Sequence, residues 1–423
     1  MELKRAKGTR DSFYGEEILR KNVLKTLETT FRLYGFNPLE TPVLESYETL
    51  ATKYGGGAEI LREVFTLSDQ GRRELGLRYD LTVPLARFIA MNPQLKMPVK
   101  RYEIGKVFRD GPTTMGRQRE FYQCDADIVG VKNITADAEI ISLARQAFKK
   151  LNLDVVIKIN NRKILDKIMD LLEIPKKKQP GIILSVDKLG KIGIEGVREE
   201  LVIKGLKKGT IQRLFEILLV QGRNKDKLKY LQRVLGECDG LNEIERLLSY
   251  IGDAEFDVSL ARGLNYYTGT VYEIFAKNKN VKGSLAAGGR YDAMIGDFVG
   301  KGDYPAIGIS FGLEPIAKSL ESKKLEPKKT TAVLYVIPIK TFEKSFEIMQ
   351  QLRSLNIPTD IDFNDRGITK NLEYASTLGI PYVLIVGQRD LVGGQITLRN
   401  MISGREEKIK LADLSQQILH LKT

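Results

Sequence analysis

The chain has 423 residues, 42% of them hydrophobic and 29% charged, so it is long enough for two or three packed cores and has the balance of a globular protein. Its 67 lysines and arginines against 54 acidic residues leave a net charge of +13, an excess that draws polyanions, nucleic acid above all, by long-range attraction. Two cysteines and one histidine, His420, exclude a disulfide scaffold, a four-cysteine zinc site, histidine-based triads and multi-histidine metal centres.

The opening "MELKRAKGTRDSF" lacks the apolar stretch of a secretory leader, and no apolar run nears the roughly 20 residues that span a bilayer. A cytoplasmic protein with no membrane partner is expected. No GxxxxGK[ST] loop occurs either. If the chain is an enzyme, its chemistry falls to carboxylates, arginines and tyrosines.

In chain order, Ile18, Val23, Leu24, Leu27 and Phe31 form a helical stripe that Gly35 ends. "FNPLETPVLES" is extended, its two prolines keeping it out of helix. Strands joined by a turn are expected between Phe65 and Arg78, then a helix over "LTVPLARFIAMN" with Pro84 near its start, where proline is tolerated. "PVKRYEIGKVFRD" and "REFYQCDADIVG" are two strands around a polar loop, Asp110 to Gln118. From about Asn160 to Gly252 the pattern is helical and lysine-rich, as an insertion in a β-rich domain would be.

Strands return with "EFDVSLARGLNYYTGTVYEIF". The glycine-rich "GSLAAGGRYDAMIGDF" implies a strand whose backbone lies close to a ligand or to packed neighbours, followed by a helix opening near Gly312. The charged bridge "ESKKLEPKK" marks a boundary. Beyond it strand and helix alternate at βαβ spacing, which predicts an α/β module with a largely parallel sheet. The expected organisation is a β-rich domain over 1–320 with the helical insertion at about 160–252, a linker at 321–329 and the α/β module over 330–423.

Period-two alternation puts Arg119, Phe121, Gln123, Asp125 and Asp127 on one strand face, and Tyr122, Cys124, Ala126 and Ile128 on the core-facing side. The polar face is either water-exposed or a binding surface. Arg109, Arg117 and Arg119 around this ribbon suit phosphates, because guanidinium offers a planar fork of donors. Phe121 suits a base, and Gln123 and Asp127 suit a small amino-bearing substrate. "LRYDLT" adds Asp80 and Thr82 as acceptors. In "ARGLNYYTGTVYEIF", Arg262, Tyr266 and Tyr267 exceed what a turn requires.

These segments resemble the histidyl-tRNA synthetase family of class II aminoacyl-tRNA synthetases over nearly the whole chain. "GFNPLETPVLES" is similar to the family's first motif, with Pro42 at its characteristic proline. "VKRYEIGKVFRDGPTTMGRQREFYQCDADIVG" is similar to the second motif, and "AAGGRYD…AIGISFGLEPI" to the third. "ARGLNYYTGTVYEIF" is similar to the element peculiar to histidine enzymes, and the tail to an anticodon-binding domain. "LRYDLT" and "QCDAD" are most like the archaeal and eukaryotic branch.

The resemblance implies an α+β fold: an antiparallel-sheet catalytic domain with a helical insertion, plus a C-terminal α/β anticodon-binding domain. It also implies a homodimer that uses ATP with Mg²⁺ to attach L-histidine to tRNA(His). Carried across, Arg109 would contact the α-phosphate, Arg117 the distal phosphates, and Phe121 would stack on adenine. Asp80, Thr82 and Gln123 would hold the α-amino group, while Asp127 and Tyr267 would read the imidazole and Tyr266 line the pocket. Arg262 would sit beside the α-phosphate and the histidine carboxylate, in place of a metal or general base.

The pattern is broken at three places. Pro315 stands where the third motif carries an arginine, Gly111 where an acid is usual, and Asn265 where aspartate is common. The alternative is a catalytically reduced paralogue that binds histidine as a regulatory subunit of ATP phosphoribosyltransferase.

Overall fold

A computed structural model of the protein describes residues 3–54, 61–113, 118–263, 266–278, 281, 283–300, 302, 304–322 and 329–418. Arg117, Asn265 and His420 lie outside the described residues. The described residues fall into two compact units, Met1–Arg10 with Asn22–Lys324 and Asp11–Lys21 with Leu325–Thr423.

The first unit is built on an eight-stranded sheet. Its strands are β1 (Asn37–Pro38), β2 (Val99–Phe108), β3 (Glu120–Val129), β4 (Val155–Asn161), β5 (Glu255–Phe256), β6 (Thr270–Ala276), β7 (Ala286–Arg290) and β8 (Ala306–Gly312). Their order is β1-β2-β3-β8-β7-β6-β4-β5. The six central strands are antiparallel to their neighbours, and only the two short edge strands run parallel.

One face of this sheet is apolar. Cys124, Ala126 and Ile128 of β3 join Ile307, Ile309 and Phe311 of β8 in a core with Val23, Leu27 and Phe31 of the helix Tyr14–Leu33 and with Ile140, Leu143 and Phe148 of the helix Thr135–Lys150. The stripe expected in the first helix is the stripe that is buried, and Gly35 follows its last turn at φ +73°, a conformation that costs glycine least. The segment between β4 and β5 consists of six helices, from Arg162–Leu171 to Asp239–Ile251. The expected hairpin before Arg78 is present as Thr66–Ser68 paired with Glu74–Leu77, and the next helix is Thr82–Met91.

The second unit is a five-stranded sheet of β9 (Leu334–Ile339), β10 (Thr359–Ile361), β11 (Tyr382–Gly387), β12 (Gln395–Asn400) and β13 (Glu406–Lys410). Strands β10, β9 and β11 are parallel, whereas β12 and β13 are antiparallel additions. The expectation of a largely parallel sheet therefore needs correction: the sheet is mixed. A βα crossover is needed only to join parallel strands, and β11, β12 and β13 follow one another through short connections. No helix among the described residues is long and apolar enough to cross a membrane.

Candidate active site

The polar face of the large sheet floors a cavity of about 1360 Å³ whose lining includes Asp80, Thr82, Arg109, Gln123, Asp125, Asp127, Arg262, Tyr266 and Tyr267. All of the amino-acid-contacting residues expected from the sequence are therefore brought together.

Strand alternation does the first part of the work. Gln123, Asp125 and Asp127 project from β3 into the cavity while the intervening residues enter the core. Beside them on β2, Glu103 faces Asp125 and Arg101 faces Asp127 in register. Arg101 Nη2 lies 3.0 Å from Asp127 Oδ2 and donates to the Leu81 carbonyl at 3.0 Å. The Tyr291 hydroxyl donates to the other Asp127 oxygen. Glu103 Oε1 accepts from the Thr41 amide at 2.9 Å and from Arg78 at 2.9 Å.

Asp80 sits just ahead of the helix Thr82–Met91, and its Oδ1 accepts from the amides of Thr82 and Val83 at 3.1 and 3.0 Å. That position fixes the carboxylate against the positive end of the helix. The Gln123 side-chain amide donates to Ser310 on β8 at 3.0 Å. Its own carbonyl oxygen is buried without a hydrogen bond. An acceptor left in that state is costly unless something supplies a donor.

The glycines of β7 and β8 make the floor thin. A Cβ at Gly308 would collide with the Asp127 carboxylate, and one at Gly289 would lie 2.9 Å from the Tyr267 ring. The Tyr272 hydroxyl also donates to the Gly308 carbonyl at 2.6 Å. Gly289 and Gly308 thus make room for side chains of the cavity, whereas Gly312 makes room for Pro315 of the following helix.

Across the cavity, Arg262 Nη1 donates to Glu273 Oε1 of β6 at 2.8 Å, and its guanidinium carbon lies 5.7 Å from the centre of the Tyr267 ring. Burial alone would lower its pKa, but Tyr267, Glu273 and Tyr266 together hold it above the ordinary arginine value. Tyr266 packs on Tyr267 with ring centres 4.7 Å apart. Burial, then Tyr267, push the Tyr266 phenol well up, so it acts only as a neutral hydroxyl.

The arginine cluster is divided. Arg109 lines the cavity, held between the rings of Tyr79 at 4.2 Å and Phe121 at 5.0 Å. Phe121 lies beside Arg109 rather than among the lining residues. Arg119, which the sequence grouped with Arg109, pairs through its Nη2 with Asp110 at 3.0 Å and is not among the lining residues. Arg290, the arginine of "GGRYD", is paired with buried Asp137 and with Asp292. It does not replace the cation missing at Pro315, which sits in the first turn of the helix Leu313–Glu321.

Tyr291, Arg101 and Ser310 were not foreseen. Arg101 is one of four charged residues of β2, with Lys100, Glu103 and Lys106, so nothing in the strand's own text set it apart.

An antiparallel sheet whose polar face gathers arginines, carboxylates and tyrosines in one cavity is the architecture of a class II aminoacyl-tRNA synthetase. Comparison with known proteins narrows this. The histidyl-tRNA synthetase family model matches residues 8–316, and an anticodon binding domain model matches residues 333–421. Histidine–tRNA ligase 1 of Bacillus cereus (strain ZK / E33L) is 45% identical, covering 99% of this chain and 100% of the relative. Histidine–tRNA ligase of Aeropyrum pernix is 40% identical, covering 96% of this chain and 95% of the relative.

The crystal structure of histidyl-tRNA synthetase from Nostoc sp. PCC 7120 superposes with a TM-score of 0.86 at 31% identity, covering 99% of both chains. A structure described as an ATP phosphoribosyltransferase regulatory subunit/histidyl-tRNA synthetase from Bacillus halodurans C shares the fold, with a TM-score of 0.73 at 21% identity over 88% of this chain and 96% of that one. The chain belongs to the histidyl-tRNA synthetase family.

Proposed function

We propose that the protein activates L-histidine with ATP to histidyl-adenylate and transfers the histidyl group to the 3′ end of tRNA(His). The observation that carries this reading is one cavity lined both by Arg109 and Arg262 and by the acceptors Asp80, Gln123 and Asp127. The regulatory-subunit alternative is disfavoured by full-length relatives named as ligases at up to 45% identity. The neighbour whose title includes that role, at 21% identity, supports the fold alone.

In the first step the carboxylate of histidine attacks the α-phosphorus of ATP in line, and pyrophosphate leaves with the bond that breaks. A carboxylate needs no deprotonation, so the step calls for positioning and for cations where charge accumulates on the phosphoryl oxygens. Arg262, anchored by Glu273, and Arg109, clamped between two rings, supply fixed cations there. Phe121 would stack on adenine and Arg117 would meet the distal phosphates. Asp80, Thr82 and Gln123 would hold the α-ammonium. Asp127, oriented by Arg101 and Tyr291, and Tyr267 would pair with the imidazole nitrogens, and Tyr266 backs them. A substrate without those nitrogens would strand buried polar groups, which is a strong basis for rejection.

Among the described residues no group of three or more acidic, histidine or cysteine side chains is placed to hold a metal. Mg²⁺ would enter with the phosphates of the nucleotide, as the family resemblance implies. The family reading also includes a cytoplasmic homodimer with a catalytic domain at 1–320 and an anticodon-binding domain at 330–423. Histidine-dependent exchange of pyrophosphate into ATP tests the proposal. Exchange that appears only with histidine supports it; binding of histidine without exchange supports the regulatory alternative.

A further inference from the structure

The cavity floor holds one more acceptor than the α-ammonium reading uses. Asp125 is 3% exposed, lines the cavity between Gln123 and Asp127, and its Oδ1 is buried without a hydrogen bond. Among the described residues no cation forms an ion pair with it, and Arg101 acts on it by charge alone. Three buried carboxylates, Asp80, Asp125 and Asp127, line this floor, and Glu103, Arg78 and Arg101 are buried beside it without lining it. Arg78 pairs with Glu103 at 2.9 Å, and Arg101 reaches Asp127 at 3.0 Å and Glu103 at 3.7 Å. Asp80 is held at the start of its helix by two amides. Asp125 is the carboxylate for which no ion pair remains.

We infer that Asp125 is a binding residue for the α-ammonium of the amino acid, that its carboxyl carries a proton in the ligand-free protein, and that it loses this proton to solvent when the ammonium binds. The inference deepens the histidine reading and rests on it. An ammonium has three N–H donors. The Gln123 carbonyl and Asp125 Oδ1, two positions apart on one strand face, are both buried acceptors without a donor.

The groups that face Asp125 decide its protonation. From β2 come Arg101 and Glu103; from β8, Ser310; from the segment ahead of the helix Thr82–Met91, Asp80; and from its own strand, Gln123 and Asp127. Burial pushes the Asp125 carboxyl up to about 8, opposed by Arg101 and by a hydrogen bond with the Ser310 side chain, and reinforced by Asp127 and Asp80. Burial raises Asp127 too, but Arg101 and the Tyr291 hydroxyl both favour its ionised form. When two buried carboxyls share a site, the proton resides on the one with fewer counter-charges, and that is Asp125.

A bound ammonium would favour the ionised form and return the carboxyl toward its ordinary range. The sign follows: raised pKa in the free protein, lowered pKa in the complex, net proton release on binding. Histidine affinity then strengthens as pH rises toward 8 and levels off above it.

Titration calorimetry of histidine into the full chain at pH 7.5, in two buffers of different ionisation enthalpy, counts the protons. Wild type is expected to release on the order of half a proton or more per histidine bound. Asp125→Asn is expected to release essentially none and to bind about tenfold more weakly. No release by wild type, or undiminished release by Asp125→Asn, overturns the inference. Because the wild-type count requires no variant, a misfolded Asp125→Asn does not leave the question open. Absence of any histidine binding heat would instead overturn the histidine reading itself.

Discussion

Removing the Arg262 guanidinium would take away the cation proposed for the reacting phosphate and also the partner of Glu273, whose side chain is 20% exposed. The two effects separate. Arg262→Ala is expected to cut histidine-dependent pyrophosphate exchange on the order of 10³-fold. Thermal unfolding should show a loss of about 1–3 kcal/mol from the stranded carboxylate. Adding Glu273→Gln should recover most of that stability and none of the exchange. Recovery of both would mean that Arg262 acts only as a structural ion pair. Asp127→Asn tests the imidazole contact: KM for histidine should rise tenfold or more, with KM for ATP within about twofold. Equal losses for both substrates would argue against it. At this scale the sequence revealed those residues that alternation alone aligns, namely Gln123, Asp125 and Asp127 on β3. It hid Arg101, Ser310 and Tyr291, because each reaches β3 residues from another strand or from the segment after one, and a contact between strands leaves no period within either.

At the scale of elements, the glycine strands carry the most specific constraint. The close approach of β7 and β8 leaves no room for a Cβ at Gly308, where the Asp127 carboxylate lies, and only 2.9 Å between a Cβ at Gly289 and the Tyr267 ring. Gly308→Ala should therefore displace Asp127 and raise KM for histidine at least tenfold, with a stability cost of about 1–3 kcal/mol. Unchanged histidine KM would show that the carboxylate can shift without loss. Helices were legible where an apolar stripe or a proline near the start marked them, as in Tyr14–Leu33 and Thr82–Met91. The helix Asp292–Val299 was not, because it lies inside the glycine-rich text read as strand and loop. Strand β13 was not either: "EEKIK" is an edge strand with four of five residues exposed, so it lacks the apolar alternation that marks a half-buried one.

At the scale of the whole molecule, chemistry on small substrates and grip on a polyanion belong to different physics. The cavity lies within the first unit. The net charge of +13 acts at long range on RNA and scarcely on neutral or zwitterionic histidine. The second unit carries a feature of another kind: Phe342, Phe346 and Phe363 are 46%, 37% and 65% exposed, with Phe342 6.1 Å from Phe346 and 6.2 Å from Phe363 between ring centres. They lie just beyond the carboxyl ends of the parallel strands β9 and β10, the edge where ligands of such sheets bind. Exposed rings there suit unstacked bases, at about 1–3 kcal/mol per base. Raising salt from about 50 to 200 mM should lower kcat/KM for tRNA charging by tenfold or more, while exchange measured without tRNA changes less than about twofold. Phe342→Ala with Phe363→Ala should raise KM for tRNA about tenfold at fixed salt and leave exchange unaltered. If exchange fell in parallel, the rings would be supporting the fold; if neither reaction changed, the bases of tRNA would have to be held elsewhere on the molecule.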